Sequence, residues 1–372
     1  MSARARRVPH EKYRANVARG RHLHWSTCLV VTLLLLWSSA AETTEYIALH
    51  LHQEVEFSEA IVLATVTDVA NATVRVEQTL KGSTPRSIHI VDYIDGFMRP
   101  ADQRPLVRGT RELMFLKATE GGYAPLQTQF GRWLIHGGSV EAPGQIAQLG
   151  LPDFRKTILW LVDLQSRAAG GGSRAIDAYV QGLDAADPHV RLWAAHSAYR
   201  QVDQPLPRLV DAYLKLWSTH DGEMRGSAAN AVIKWKIRRA APMLATTLRE
   251  ATAWGDRATA ARALGGTGDL SFLPLLRTTA TSDESDKVRG WAYEGLTELL
   301  GRESIPDLEK GSKDRSEFVR RSVAIHAFNM ANHSREADLR ADVRRLLLLL
   351  AEDTDRSVKQ TVQSFLKQLA NP

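Results

Sequence analysis

The sequence predicts a multidomain α + β chain in which a small antiparallel β-barrel precedes an all-α solenoid of about six stacked helix pairs. Three observations carry this. A motif of small and apolar residues recurs at a helix-pair period through the second half, short β-rich runs alternate between residues 58 and 135, and the stretch AAGGGS at 168–173 separates the two regimes. With 372 residues, 44% apolar and 24% charged, the chain can bury two cores of ordinary size.

The front of the chain reads as a leader. Arg4, Arg6, Arg7, Lys12, Arg14, Arg19 and Arg21 are opposed by Glu11 alone, and no further charge follows until Glu42. An apolar run from Trp25 to Trp37 and the small residues Ser38, Ser39, Ala40 and Ala41 complete the three parts of a secretory signal. Residues 1–41 are therefore expected to be removed after Ala40 or Ala41, giving a secreted or periplasmic protein. The apolar run is shorter than the roughly 20 residues a spanning helix needs, so a membrane-anchored scaffold is the alternative only if the segment stays uncleaved.

Removing the leader changes the electrostatic reading. Seven of the 48 basic and one of the 42 acidic residues go with it, so the formal charge of +6 belongs to the leader and the remainder is neutral. Phosphate-backbone binding loses its basis, and no nucleic-acid partner is expected. Cys28, the single cysteine, lies in the leader too. The mature chain then has no disulfide, thiol nucleophile or zinc–thiolate site.

In the first half, Ala60 to Val69, Ala72 to Leu80, Ser87 to Tyr93, Arg111 to Ala118 and Phe130 to Ile135 read as strands, with Lys81–Gly82 and Gly121–Gly122 as turns. A closing helix is predicted from Asp153 to Gln165, where Phe154, Ile158, Leu161 and Leu164 stand at helical spacing behind Pro152. The stretches SEAIVLATV at 58–66, VRVE at 74–77 leading into LKG at 80–82, and Gly109 with LMFL at 113–116 resemble the netrin-like or tissue-inhibitor-of-metalloprotease-like domain of many exported bacterial proteins. The resemblance implies an OB-type barrel over residues 42–167. The inhibitors' mechanism, which uses an amino-terminal cysteine and bracing disulfides, has no counterpart here.

Beyond the glycine-rich stretch, expected to be a flexible linker, the repeat begins. Its copies start at Val190, Met224, Asp256, Val288, Val319 and Val358, spaced by 34, 32, 32, 31 and 39 residues, and each start precedes a basic residue. Four and eight residues on stand Ala194 and Ala198, Ala228 and Val232, Ala260 and Leu264, Ala292 and Leu296, Val323 and Ala327, Val362 and Leu366. These positions share one helix face, so they are predicted to be core. Pro207, Pro242, Pro274 and Pro306 recur at the same period and mark the first turns of the partner helices.

Together with the stretch ALGGTGD at 263–269 running to Leu273-Pro274-Leu275-Leu276, these copies resemble HEAT repeats, and Asp187, Asp221 and Asp355 fit the family's pairing of an Asp with the following basic residue. Asp256, where a valine is expected, departs from the pattern. The resemblance implies an α-solenoid over residues 174–372 whose second helices line a concave surface for a protein or peptide. On it, the sixth position after each start would face the groove: His196, Asn230, Arg262 and Glu294, followed by Ile325 and Ser364.

Other constellations point less far. His50, His52, Glu54 and Glu56 alternate, so a strand would set all four on one face, but the spacing matches no metal motif and a hydrated polar face accounts for them. Gly265, Gly266 and Gly268 follow no strand and read as an inter-helix turn rather than a phosphate loop. The ladder of Arg191, Arg225, Arg257, Arg289, Arg320 and Lys359 is expected to pair internally with aspartates and helix ends. Trp193 and Trp291 are expected to pack between repeats. No GxSxG and no catalytic triad by spacing are present. The functional expectation is a non-enzymatic binding scaffold with a protein or peptide partner and neither cofactor nor metal. The enzymatic alternative is a lyase, because short repeats of this kind also resemble those of phycobilin lyases.

Overall fold

The computed structural model describes residues 50–91, 105–126, 131–141, 149–219, 221–332 and 334–370. The expected signal peptide and its cleavage point lie outside the described residues, as do Tyr93 and Phe130. Leu49–Pro372 is one compact unit.

Eight strands stand among the described residues: β1 (Ala60–Asp68), β2 (Thr73–Lys81), β3 (Ser87–His89), β4 (Arg111–Thr119), β5 (Gly122–Pro125), β6 (Arg132–His136), β7 (Ser139–Glu141) and β8 (Leu149–Gly150). They form an antiparallel sheet in the order β3-β2-β1-β4-β6-β7-β8, with β5 paired to β4. β1 reads as a nearly continuous apolar run because both of its faces are covered. Ile61 and Leu63 join Leu113, Phe115 and Trp133 on the side of the main core, and Val62, Ala64 and Val66 join Val74, Ile88, Ile90 and Met114 in a second core.

The expected barrel is an open sheet. β3 pairs with β2 only over Thr73–Arg75, too short a ladder to carry the sheet round. Past it, among the described residues, one parallel bridge joins Ile90 to Tyr123 of β5, and the Val91 N–H donates to the Tyr123 carbonyl at 2.9 Å. β5 itself begins at Gly122, which the sequence presents as a turn.

Before the sheet the chain forms a helix, α1 (Leu51–Phe57), and not the strand that would align the alternating His and Glu residues. Leu51 and Val55 are one helical turn apart and both buried, and the Gln53 side chain accepts the His50 N–H at 2.9 Å, so the segment has a helix's apolar face and a helix's start. The His50, His52, Glu54 and Glu56 set therefore does not share one face. After the sheet, α2 (Leu151–Ala169) is longer than predicted and buries Phe154, Ile158, Leu161 and Leu164.

The expected flexible linker at 168–173 is a corner between helices. Ala168 and Ala169 close α2, Gly172 and Ser173 open α3 (Gly172–Leu183), and only Gly170 and Gly171 lie between. Gly171 takes φ +67 and Gly172 φ +57, which lets the chain reverse where a side chain would be strained. One apolar cluster runs from Leu51 through the corner to Val362, so the sheet and the helices share a core.

Six helix pairs follow among the described residues. They are α3 with α4 (Pro188–Gln201), α5 (Pro207–Trp217) with α6 (Gly222–Trp235), α7 (Ala241–Glu250) with α8 (Trp254–Gly266), α9 (Leu273–Ser282) with α10 (Asp286–Leu300), α11 (Ile305–Gly311) with α12 (Glu317–Asn332), and α13 (Ala337–Leu350) with α14 (Arg356–Ala370). The recurring prolines sit in the first turns of α5, α7, α9 and α11, as expected. The repeat's core positions are closed to solvent from Val190 to Val362, Asp256 excepted.

Successive second helices touch backbone to backbone. A Cβ on Gly265 of α8 would lie 2.0 Å from the carbonyl oxygen of Gly295 in α10, and one on Gly295 would lie 2.5 Å from that of Ala261. Successive first helices are joined instead by long side chains, Arg208 to Asp177 at 2.6 Å and Lys215 to Asp184 at 2.7 Å. A stack with one closely spaced layer curves toward that layer, which puts the second helices on the inner side. Gly265→Val should thus force α8 from α10 and cost about 1–3 kcal/mol as overpacking, seen as a lower melting temperature. An unchanged melt would mean that the helices are not in contact there.

The arginine ladder pairs internally, but not as the family pattern implied. Asp187, Asp221 and Asp355 cap their own helices by accepting backbone N–H groups two and three residues on. Four arginines instead reach the carbonyls of their own preceding loop and an acid of the next repeat: Arg225 to Asp256, Arg257 to Asp283, Arg289 to Asp314 and Arg320 to Asp353; Arg191 holds the carbonyls of Ala185 and Ala186. Asp256, the departure from the motif, is one of these acceptors.

Candidate functional site

The inner layer brings three of the four predicted groove residues together. Arg262 projects from the middle of α8, donates through Nη1 to Asn230 Oδ1 of α6 at 2.7 Å, and through Nε to Glu294 Oε1 of α10 at 2.8 Å. The three residues belong to consecutive repeats because each holds the same place in its helix, and the close approach of the small-residue faces brings their side chains within reach. All three are half-buried, so the row is ordered and still open to solvent. Its guanidinium lies over Trp291, 5.4 Å from the ring centroid.

Of the two tryptophans expected to pack between repeats, Trp193 is buried against Tyr179 of its own helix pair, with centroids 5.7 Å apart, whereas Trp291, partly exposed beneath Arg262 of the preceding repeat, makes the contact between repeats. His326 of α12 stands beyond, and burial keeps it below its ordinary pKa even with Glu294 beside it. Neither is visible from the sixth-position rule. Their signal is the neighbouring offset: Trp291 is three residues past the start at Val288, one turn before Glu294, and His326 directly follows Ile325. Ile325, proposed for the groove, is buried.

His196 is not part of this row. It faces α1, its ring centroid 5.6 Å from that of His52 and 6.4 Å from that of His50. His52 is 1% exposed, and neither of its ring nitrogens has a hydrogen-bond partner. Burial, then the neighbouring imidazoles, push His52 down to about 3, and burial pushes His196 down to about 4. Among the described residues no group of three or more His, Cys, Asp or Glu is arranged to hold a metal ion. No described helix is long and apolar enough to cross a membrane.

The row offers the chemistry of a recognition surface. A guanidinium held on both sides by neutral and acidic acceptors, with an aromatic ring beneath, offers fixed hydrogen-bond directions and a flat apolar surface. Similarities to known proteins concern the helices. No curated protein matches the chain. Similar solved structures include the CpcE–CpcF complex of phycocyanin lyase from Nostoc sp. PCC7120, at 20% identity over 42% of this chain and 96% of that one with a TM-score of 0.34. Human deoxyhypusine hydroxylase in complex with glycerol has 15% identity over 54% and 97%, TM-score 0.29, and a designed armadillo repeat protein in complex with the peptide (KR)4 has 18% over 57% and 94%, TM-score 0.28. Residues 241–329, from the start of α7 almost to the end of α12, match the family of HEAT repeats. With that match in its central repeats and the same pairing on either side, the helical part of the chain is a HEAT-like α-solenoid.

Proposed function

We propose that the protein is an exported scaffold that holds a protein or peptide partner on the inner face of the solenoid, without catalysing a reaction. The observation that carries this is the Asn230–Arg262–Glu294 row, ordered across three repeats before any partner arrives. Side chains already fixed lose little freedom on binding, so the row can favour association where mobile surface residues would not. In the same reading the open sheet is a netrin-like, OB-type domain that begins the mature chain, and residues 1–41 are the signal peptide that sends it out of the cytoplasm.

A displayed peptide library selected against the purified mature chain tests the inner face. Arg262→Ala should weaken the selected peptides by about 1–2 kcal/mol, roughly 5- to 30-fold, and lower stability by about 1–3 kcal/mol, because the two side chains of its ion pair are only 13% and 22% exposed. Peptides that bind the Arg262→Ala and Glu294→Ala chains as tightly as the wild type would remove this face. Mass spectrometry of the amino terminus made in a secreting host tests export, with Ala41 or Glu42 expected as the first residue.

A further inference from the structure

Helix α1 packs on α2 and α4, and through them joins the sheet to the first repeat. Its tethers are few. Gln165 Nε2 donates to the His52 carbonyl at 3.0 Å, and Lys81 Nζ donates to the carbonyls of Val55 at 2.6 Å and Glu56 at 3.3 Å. Glu56 of α1 also pairs with Arg200 of α4 at 3.7 Å, and the rest is burial of Leu51, Val55, His52 and Glu54. Beside α1 lies a cleft of about 430 Å³ between Glu56, Lys81, Trp193 and Ser197.

The side that α1 turns to α4 is crowded with imidazoles, and the acid at its far end, Glu56, is paired with Arg200 and hydrogen-bonds neither His52 nor His196. His50 and His52 have ring centroids 5.5 Å apart, and His196 closes the group. The charges acting on His52 are His196, His50, Arg200 and His189, every one of them basic. Asp187 and Glu223 bear only on His189, and Glu54, buried on the same helix, is governed by burial alone. A proton taken up by His52 would thus find no acceptor and a guanidinium nearby. We propose that α1 is an acid-released clasp: protonation of His52 and His196, packed together beside His50, expels it from α4 while α2 keeps the sheet on the first repeat.

The direction follows from linkage. His52 and His196 are held below 6.5, at about 3 and about 4, so their contribution to docking is complete above pH 6.5 and is lost as the pH falls toward those values. Glu54 opposes them. It is held at about 8 against 4.5, so its contribution is complete below pH 4.5 and is lost as the pH rises toward 8. Together they make release of α1 about tenfold easier at pH 5 than at pH 7, and about a hundredfold easier at pH 4.

Hydrogen exchange of the α1 amides in the full chain reads this, corrected for the intrinsic pH dependence and referred to amides of α8 and α10. Protection of α1 should fall by those factors while the reference stays protected. His52→Leu should flatten the profile, and so should His196→Gln, which replaces a half-buried side chain and does not depend on the first variant folding. The double variant should reverse it, with α1 better protected at pH 4 than at pH 7, because Glu54 then acts alone. Protection of α1 that tracks the reference down to pH 4, or variants that keep the wild-type profile, would overturn the proposal.

Discussion

Leu264→Asp should lower the melting temperature of the whole solenoid by about 10–20 °C, the largest effect expected of any single side chain discussed. Leu264 is 0% exposed in α8. The substitution removes its apolar contacts, worth about 2–5 kcal/mol, and sets a carboxylate where no polar partner waits. The loss is not confined to one repeat. The same apolar cluster extends on both sides, and in a stack each pair relies on its neighbours. At about 2–4 °C per kcal/mol for a chain of this size, a cost near 5 kcal/mol gives the stated fall. Leu270, 59% exposed just beyond α8, is the control: Leu270→Asp should leave the melt within a degree or two. Circular dichroism at 222 nm measures both, and equal melts for the two variants would mean that the repeat register is wrong.

That register was legible because the period is long and redundant. Small and apolar residues at the start, four on and eight on predicted the buried face of the pairs, with only Asp256 and Leu366 half-buried, and the prolines gave the same period independently. Where a residue's role depends on a partner far along the chain, the sequence is silent. Asp283, Asp314 and Asp353 take the arginine of the preceding repeat, while the aspartates nearest the motif are caps, and nothing local separates these roles. α1 is hidden for a related reason. Alternating His and Glu suggests a strand, yet Leu51 and Val55 decide the conformation because α2 and α4 are there to cover them. The site shows the same split. The sixth-position rule found Asn230, Arg262 and Glu294, since it needs only the repeat, but it placed His196 with them although α1 claims that side chain.

Arg289→Ala tests the ladder itself and should cost about 3–5 kcal/mol, the usual penalty for removing one member of a buried pair. Arg289 is 3% exposed along its side chain and Asp314 11%; two parallel bonds of 2.9 Å join them, and Arg289 also holds the Asp283 carbonyl at 2.8 Å. Without the guanidinium, that carboxylate keeps the Ser316 N–H but loses its counter-charge, and the loop carbonyl loses its donor. Arg289→Lys should recover only part of the loss, because an ammonium cannot repeat the fork. The pH dependence identifies the cause. Burial opposes ionisation of Asp314, yet the Arg289 hydrogen bonds hold it below 3.8, so this stability is present above 3.8 and lost only as the pH falls through the lower folded value. Urea titrations should therefore keep wild type and Arg289→Ala apart at pH 5, where α1 is already loosened, and bring them together only in stronger acid. A difference that vanished at pH 5 would place the effect in the histidine junction instead. Replacing both partners, as in Arg289→Met with Asp314→Leu, should restore much of the loss, since no buried charge is then left alone. That result would assign the ladder to fixing the register of the repeats rather than to stabilising them.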